Sequence, residues 1–362
     1  MTARTRSRTF LVGAAVAALA APLLAVLALV APADAGKVGP RLHEVYMYKV
    51  EQHVDLSGEY PDNTFDGSLR CAGNDIALDG MWRIDHVDQY QAGENDPDDP
   101  GTGTYNDARD VIVYASYGDD ADVSRWFFRM ENLAQGNAQV KLFVTCIRST
   151  TESSAGHKHG ITISGRYADG THTVLPAGHN TVDFAGTACS SGEYAVAPGF
   201  NFSGDAYQHI FRSFPIAGGA RWSWGFATTT ADPALTLYQR CLSKKVVAVF
   251  GGPSASKQHS HKIPMVFRPH YNGGPQVAVS PKLAPVERRF SCDDGAGNGK
   301  YHAYKAMVGA FHIVDPSHVW FSGMDPRPKQ RAFRFYWDGS GNNSVYLGAH
   351  CVKSRTGKQI KP

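Results

Sequence analysis

The stretch Arg221–Leu242 reads RWSWGFATTTADPALTLYQRCL, and altered copies of it occur twice more along the chain. It opens on an arginine and the aromatic run Trp222-Ser223-Trp224. It then passes a turn rich in Thr, Asp and Pro, and ends in the alternating segment Leu235-Thr236-Leu237-Tyr238 just before Cys241. Arg125 and Trp126-Phe127-Phe128 stand ahead of Cys146 at nearly the same spacing, and Arg331 and Phe333-Arg334-Phe335-Tyr336-Trp337 stand ahead of Cys351. Self-similarity at one spacing marks a folding unit copied along the chain. Period-two alternation of β-branched and aromatic residues, broken by Gly, Pro, Asn and Asp, is the pattern of strands.

Upstream of each aromatic run lies a further cysteine, Cys71, Cys189 or Cys292, so repeat symmetry selects the pairs Cys71–Cys146, Cys189–Cys241 and Cys292–Cys351 from the 15 connectivities that six cysteines allow. Between the cysteine and the aromatic run each copy has a short apolar segment around Gly80-Met81, Gly199-Phe200 or Gly309-Ala310-Phe311. Still further upstream each copy opens on a histidine-bearing strand, at His43, at His157-Lys158-His159 and at His259-Ser260-His261. The expected fold is all-β, with three tandem sandwich- or barrel-like repeats, each closed by one disulfide. The boundaries fall at 36–148, 149–243 and 244–362, with an acidic insertion at 85–110 in repeat 1 and a basic tail on repeat 3. Short polar or Gly/Pro/Ser joints between the copies predict a semi-rigid rod.

Residues 1–35 read as a secretory leader, with Arg4, Arg6 and Arg8 ahead of the apolar run Phe10 to Ala31 and a small-x-small site at Ala33-Asp34-Ala35. The expected product is secreted and extracellular, with no membrane segment once the leader is cleaved. An even cysteine count in an exported chain favours structural disulfides over zinc or redox chemistry. The formal net charge is +3, most of it from the leader, which leaves no electrostatic footprint for nucleic acid.

The order of histidine strand, cysteine, apolar-Gly-bulky segment, Trp strand and Cys-bearing strand resembles a repeat of secreted bacterial proteins with the signature C-x-x-G…G-G-F…W…N…Y-x-x-C. Repeat 2 carries it best, in Cys189-Ser190-Ser191-Gly192, Gly199-Phe200, Ser213-Phe214-Pro215, Trp222 and Arg240-Cys241-Leu242. Repeat 3 departs from it, with Ala332 where the other copies have Trp, and repeat 1 holds the long insertion. The resemblance implies an exported β-repeat protein and no particular activity.

Three sets of residues carry candidate chemistry. Residues i and i+2 of a strand face one side, so the pairs His157/His159 and His259/His261 are candidate ligands for Zn²⁺ or Cu²⁺. His172, His179 or His270 are available to complete such a site, whereas the lone His43, with Arg41 at the paired position, breaks the pattern. Asp96, Asp98 and Asp99 in the acidic insertion form a candidate Ca²⁺ loop, although no EF-hand spacing is present. Trp126, Trp222, Trp224 and Trp337 form either a sugar-stacking platform or core. No nucleophile elbow, HExxH or P-loop occurs, so the chain is expected to be non-catalytic and to require no cofactor. The leading expectation is a structural or adhesive module of the cell surface or matrix, by self-association or by contact with a surface glycan or protein. The alternative is an extracellular binder of glycan or divalent metal.

Overall fold

Each repeat builds six principal strands, which split into two groups of three. In the computed structural model, described here for residues 42–58, 60–87, 110–134, 136–154, 156–172, 177–183, 188–204, 208–228, 234–249, 259–269, 286–293, 301–317, 319–339 and 344–360, there is no α-helix. Repeat 1 comprises β1 (Met47–Leu56), β2 (Thr64–Arg70), β3 (Ile76–Val87), β4 (Val111–Gly118), β5 (Arg125–Asn132) and β6 (Ala138–Ile147). Repeat 2 comprises β7 (Lys158–His172), β8 (Gly178–Asp183), β9 (Glu193–Phe202), β10 (Gln208–Ile216), β11 (Arg221–Thr228) and β12 (Leu235–Val249). Repeat 3 adds a short β13 (Ser260–Lys262) before β14 (Met265–Pro269), β15 (Val286–Ser291), β16 (Tyr304–Ile313), β17 (Val319–Arg327), β18 (Ala332–Gly339) and β19 (Val345–Lys353). The terminal β20 (Gln359–Ile360) then pairs back onto β13.

The three sheets do not coincide with the three repeats. One runs β1-β6-β3-β17-β18-β15, a second β14-β19-β16-β10-β11-β8, and the third carries β2-β5-β4-β9-β12 with β7 and β13 both on β12. The first, third and sixth strands of one repeat therefore continue into the second, fourth and fifth strands of a neighbour. Repeat 1 joins 3, repeat 3 joins 2 and repeat 2 joins 1, so the circuit closes. The seams are short: Gly323 pairs with Arg83, Ser213 with Phe311 and Ser116 with Phe200. The rod expected from the joints is thus corrected, because the described residues of all three repeats form one compact unit. Edge strands that a lone module would leave unpaired are consumed by the neighbouring copy.

Each disulfide ties the two sheets that share a repeat. Cys71 directly follows β2 and Cys146 lies on β6, strands of different sheets. Cys189–Cys241 and Cys292–Cys351 form equally, and all six sulfurs belong to the buried core. Closing loops of 52 to 75 residues removes unfolded-state entropy worth roughly 4 kcal/mol apiece.

The tryptophans lie inside. Trp126, Trp222 and Trp224 have no exposed surface and Trp337 has 1%, which corrects their candidacy as a sugar platform: no ring face is available for stacking. Trp126 Nε1 donates to Ser116 Oγ at 2.9 Å, and Trp222 Nε1 donates to Ser213 Oγ at 2.8 Å. In repeat 3 the corresponding pair is Phe333 and Met324, an apolar substitution on both sides. Phe333 stands where the other copies have Trp because it pairs with Pro326 as Trp222 pairs with Pro215. Ala332 instead matches the arginines, and Arg331 takes a left-handed turn position, φ 57°. Gly80 permits the Trp126 contact, since a Cβ there would lie 1.9 Å from the indole nitrogen.

Candidate metal centre

The histidine strand of each repeat begins near the point where the three repeats meet. His43 precedes β1, His157 stands just ahead of β7 and His159 lies at its start, and His259 and His261 flank and enter β13. Ring centroids are 4.1 Å apart for His43 and His159, 4.6 Å for His159 and His261, and 5.4 Å for His43 and His261. On the more open side His157, His159 and His259 are spaced by 4.9–5.0 Å. The two triads share His159, and in each the available nitrogens lie within 4.8 Å of one another. His43, His159 and His261 are buried, while His157 and His259 are half-buried.

The polypeptide after the second cysteine of repeats 1 and 3 orients these rings. His159 N–H donates to Thr151 Oγ1 at 3.0 Å, and Thr151 N–H returns a bond to the His159 carbonyl at 2.9 Å. His43 N–H donates to Thr356 Oγ1 at 2.9 Å, and Thr356 N–H returns one to the His43 carbonyl at 2.8 Å. The next residue in each segment fixes a ring: Nδ1 of His43 lies 3.3 Å from the Glu152 carbonyl, and Nδ1 of His261 lies 3.2 Å from the Gly357 carbonyl. A carbonyl only accepts, so both rings carry their proton on Nδ1 and turn an Nε2 lone pair to the centre. That arrangement is the usual outer-shell support of a metal-bound imidazole.

Inside the cluster two ring nitrogens lack partners. His43 Nε2 and His159 Nδ1 are buried and meet no hydrogen-bond partner among the described residues. His157 Nε2 and His159 Nε2 both approach His259 Nε2, at 3.3 and 3.2 Å. Burial, followed by the charges of the neighbouring imidazoles, lowers the pKa of His159 to about 3. Burial likewise leads the lowering for His43 and His261. Neutral imidazoles are the metal-binding form. Tetrahedral zinc with Zn–N of about 2.0–2.1 Å places its nitrogens about 3.3 Å apart, which matches the two spacings to His259 Nε2.

The candidate residues separate cleanly. His157, His159, His259 and His261 come together, and His43 joins them, whereas the sequence pattern had set it apart. His179 is exposed on β8 beside Phe211, away from the centre, while His270 and the side chain of His172 lie outside the described residues. Asp96, Asp98 and Asp99 also lie outside them, as do the leader and Arg41. Asp85, at the edge of the insertion, pairs instead with Arg83 and Lys141 on the sheet. Sequence reasoning missed Thr151 and Thr356. Their signal is the shared pattern Cys146-Ile147-Arg148-Ser149-Thr150-Thr151 and Cys351-Val352-Lys353-Ser354-Arg355-Thr356, in which a threonine follows the cysteine by five places. The second lies in the segment read as a basic tail, yet Thr356 is 1% exposed.

Fold and cluster together define an all-β, disulfide-stapled protein in which three repeats close around a five-histidine centre. No family model matches the chain, and no curated protein matches it in sequence.

Proposed function

We propose that this is an exported β-repeat protein that binds a divalent transition-metal ion, Zn²⁺ or Cu²⁺, through His157, His159 and His259 with His43 and His261 behind them. The single observation that carries the reading is the convergence of imidazoles from all three repeats on one centre, in two triads that share His159. A buried acceptor left unpaired costs about 1–3 kcal/mol, and a cation gives the converging Nε2 lone pairs a partner. All-imidazole ligation suits zinc and copper and disfavours Ca²⁺, which takes oxygen ligands. The ion would act as a non-catalytic cross-brace where the circuit of repeats closes. Three disulfides suit an oxidising compartment, in keeping with the leader.

Elemental analysis of the purified protein and titration calorimetry with Zn²⁺, Cu²⁺ and Ca²⁺ test this. The expected result is one transition-metal ion per chain, no Ca²⁺ response, and loss of binding in His159→Ala. Absence of Zn²⁺ and Cu²⁺ binding to the wild type would sink the reading.

A further inference from the structure

We infer that the junction of repeats 1 and 3 holds a binding pocket for a small ring-bearing anion, a carboxylate carried on a sugar or an aromatic ring. A cavity of about 410 Å³ lies between β1 and the turn that follows β17, within the size range of small-ligand sites. Its lining includes Tyr46, Tyr48, Lys49, Arg327 and Lys329, three cations in all, and no carboxylate.

The other two junctions are filled at the equivalent places. Between repeats 2 and 3, Phe267 and Phe214 pack edge to face at 5.3 Å, and His350 lies against Phe267. Between repeats 1 and 2, Arg240 reaches into the neighbour and donates to the carbonyls of Ala77, Val123 and Asp119. At the junction of repeats 1 and 3 the residue matching His350 and Arg240 is the short Thr145, and Lys49 and Asp325 replace the two phenylalanines. The junction of repeats 1 and 3 therefore lacks the filling seen at the other two, and the cavity lies beside that place, with Lys49 on its wall.

The charge of this junction is unbalanced in a way that favours an anion. Asp325, 1% exposed, is the shared partner of Lys49, Arg83 and Arg327. Glu51 and Asp85 take further shares of Lys49 and Arg83, but Arg327 Nε is buried without a partner. Lys329 extends the positive rim into solvent. A carboxylate entering here gains charge-assisted bonds. Tyr46 is 40% exposed, with the Arg148 guanidinium 4.2 Å from its ring centroid, and Tyr48 is anchored by its hydroxyl to Asp75, so the aromatic wall is firm. A flat or chair-shaped ring is the shape such a wall takes.

Titration of the full protein with galacturonate, benzoate, methyl galacturonate, benzyl alcohol and inorganic phosphate tests the proposal. Binding of galacturonate or benzoate above its neutral counterpart supports it, and the preferred acid identifies the ring. Lys329→Glu, on the exposed rim, should weaken that binding about tenfold, and Tyr46→Ala should weaken it with unchanged thermal stability. Four results would overturn it: neither ring acid binds, neutral and acidic rings bind alike, inorganic phosphate binds as well as the ring acids, or both variants keep wild-type affinity.

Discussion

His159 Nε2 lies 3.2 Å from His259 Nε2, although the two residues are 100 positions apart and belong to different repeats. Neither strand builds this contact alone. It exists because β7 and β13 both pair with β12, which brings the two histidine strands into one sheet. A metal bound there should therefore report on closure of the whole circuit. Ligand present at a hundredfold over its dissociation constant stabilises the folded state by about 2.7 kcal/mol. Zn²⁺ should raise the melting temperature of the wild type and leave His159→Ala unmoved. Equal shifts in both proteins, seen by scanning calorimetry, would place the ion elsewhere.

Thr356 holds the backbone of His43 while Gly357, its neighbour, holds the ring of His261. Thr356→Val removes the hydroxyl acceptor and keeps the shape. Loss of outer-shell support costs metal affinity about 10- to 100-fold. The expected outcome is weakened Zn²⁺ binding with the circular dichroism of an intact β-fold. Thr356→Ser, which restores the oxygen, should recover most of the affinity.

His350 gives a pH dependence away from the histidine cluster. It is fully buried among Tyr194, Trp222 and Phe267, and burial, followed by the charge of Lys244, lowers its pKa to about 3. The unfolded chain binds this proton below its ordinary value near 6.5, while the folded chain refuses it until about pH 3. The contribution to stability is therefore complete above pH 6.5 and is lost as pH falls through that window, by about 2 kcal/mol at pH 5. Urea titrations at pH 7 and pH 5 should show that loss in the wild type and a smaller one in His350→Phe.

Much of this architecture was open to reading and some of it was not. Repeating cysteines and aromatic runs announce three copies of an all-β unit because disulfide pairing and strand period are local or symmetric properties. Sharing of sheets between copies left no such mark: the matching seam residues Ala115, Arg212 and Gly323 differ in type, and each stands just after a bulge in β4, β10 or β17. Alignment on Arg331 also placed Ala332 opposite the tryptophans, and only the register of β17 with β18 moves Phe333 into that place. For the centre, the H-x-H pairs were visible because strand period two puts both rings on one side. His43 looked like an exception, since its partners are the histidines of other repeats and not a second histidine of its own strand.

The seam between repeats 1 and 3 contains a close backbone approach at Gly323, which gives the last prediction. Gly323 has φ 148°, and a Cβ there would lie 2.3 Å from the Trp82 carbonyl oxygen and 2.4 Å from Arg83 Cα. Both obstacles are backbone and belong to another repeat, so relief requires β17 to move away from β3. The matching positions in the other seams are Ala115 and Arg212, which tolerate side chains. Gly323→Ala should destabilise the fold by at least the roughly 1–3 kcal/mol of an overpacked core, with added strain from the positive φ. Ala115→Gly, adding only backbone freedom, should cost about 1 kcal/mol or less. Chemical denaturation of the two variants decides it. Comparable losses in both would mean that close backbone approach at Gly323 does not hold this seam shut.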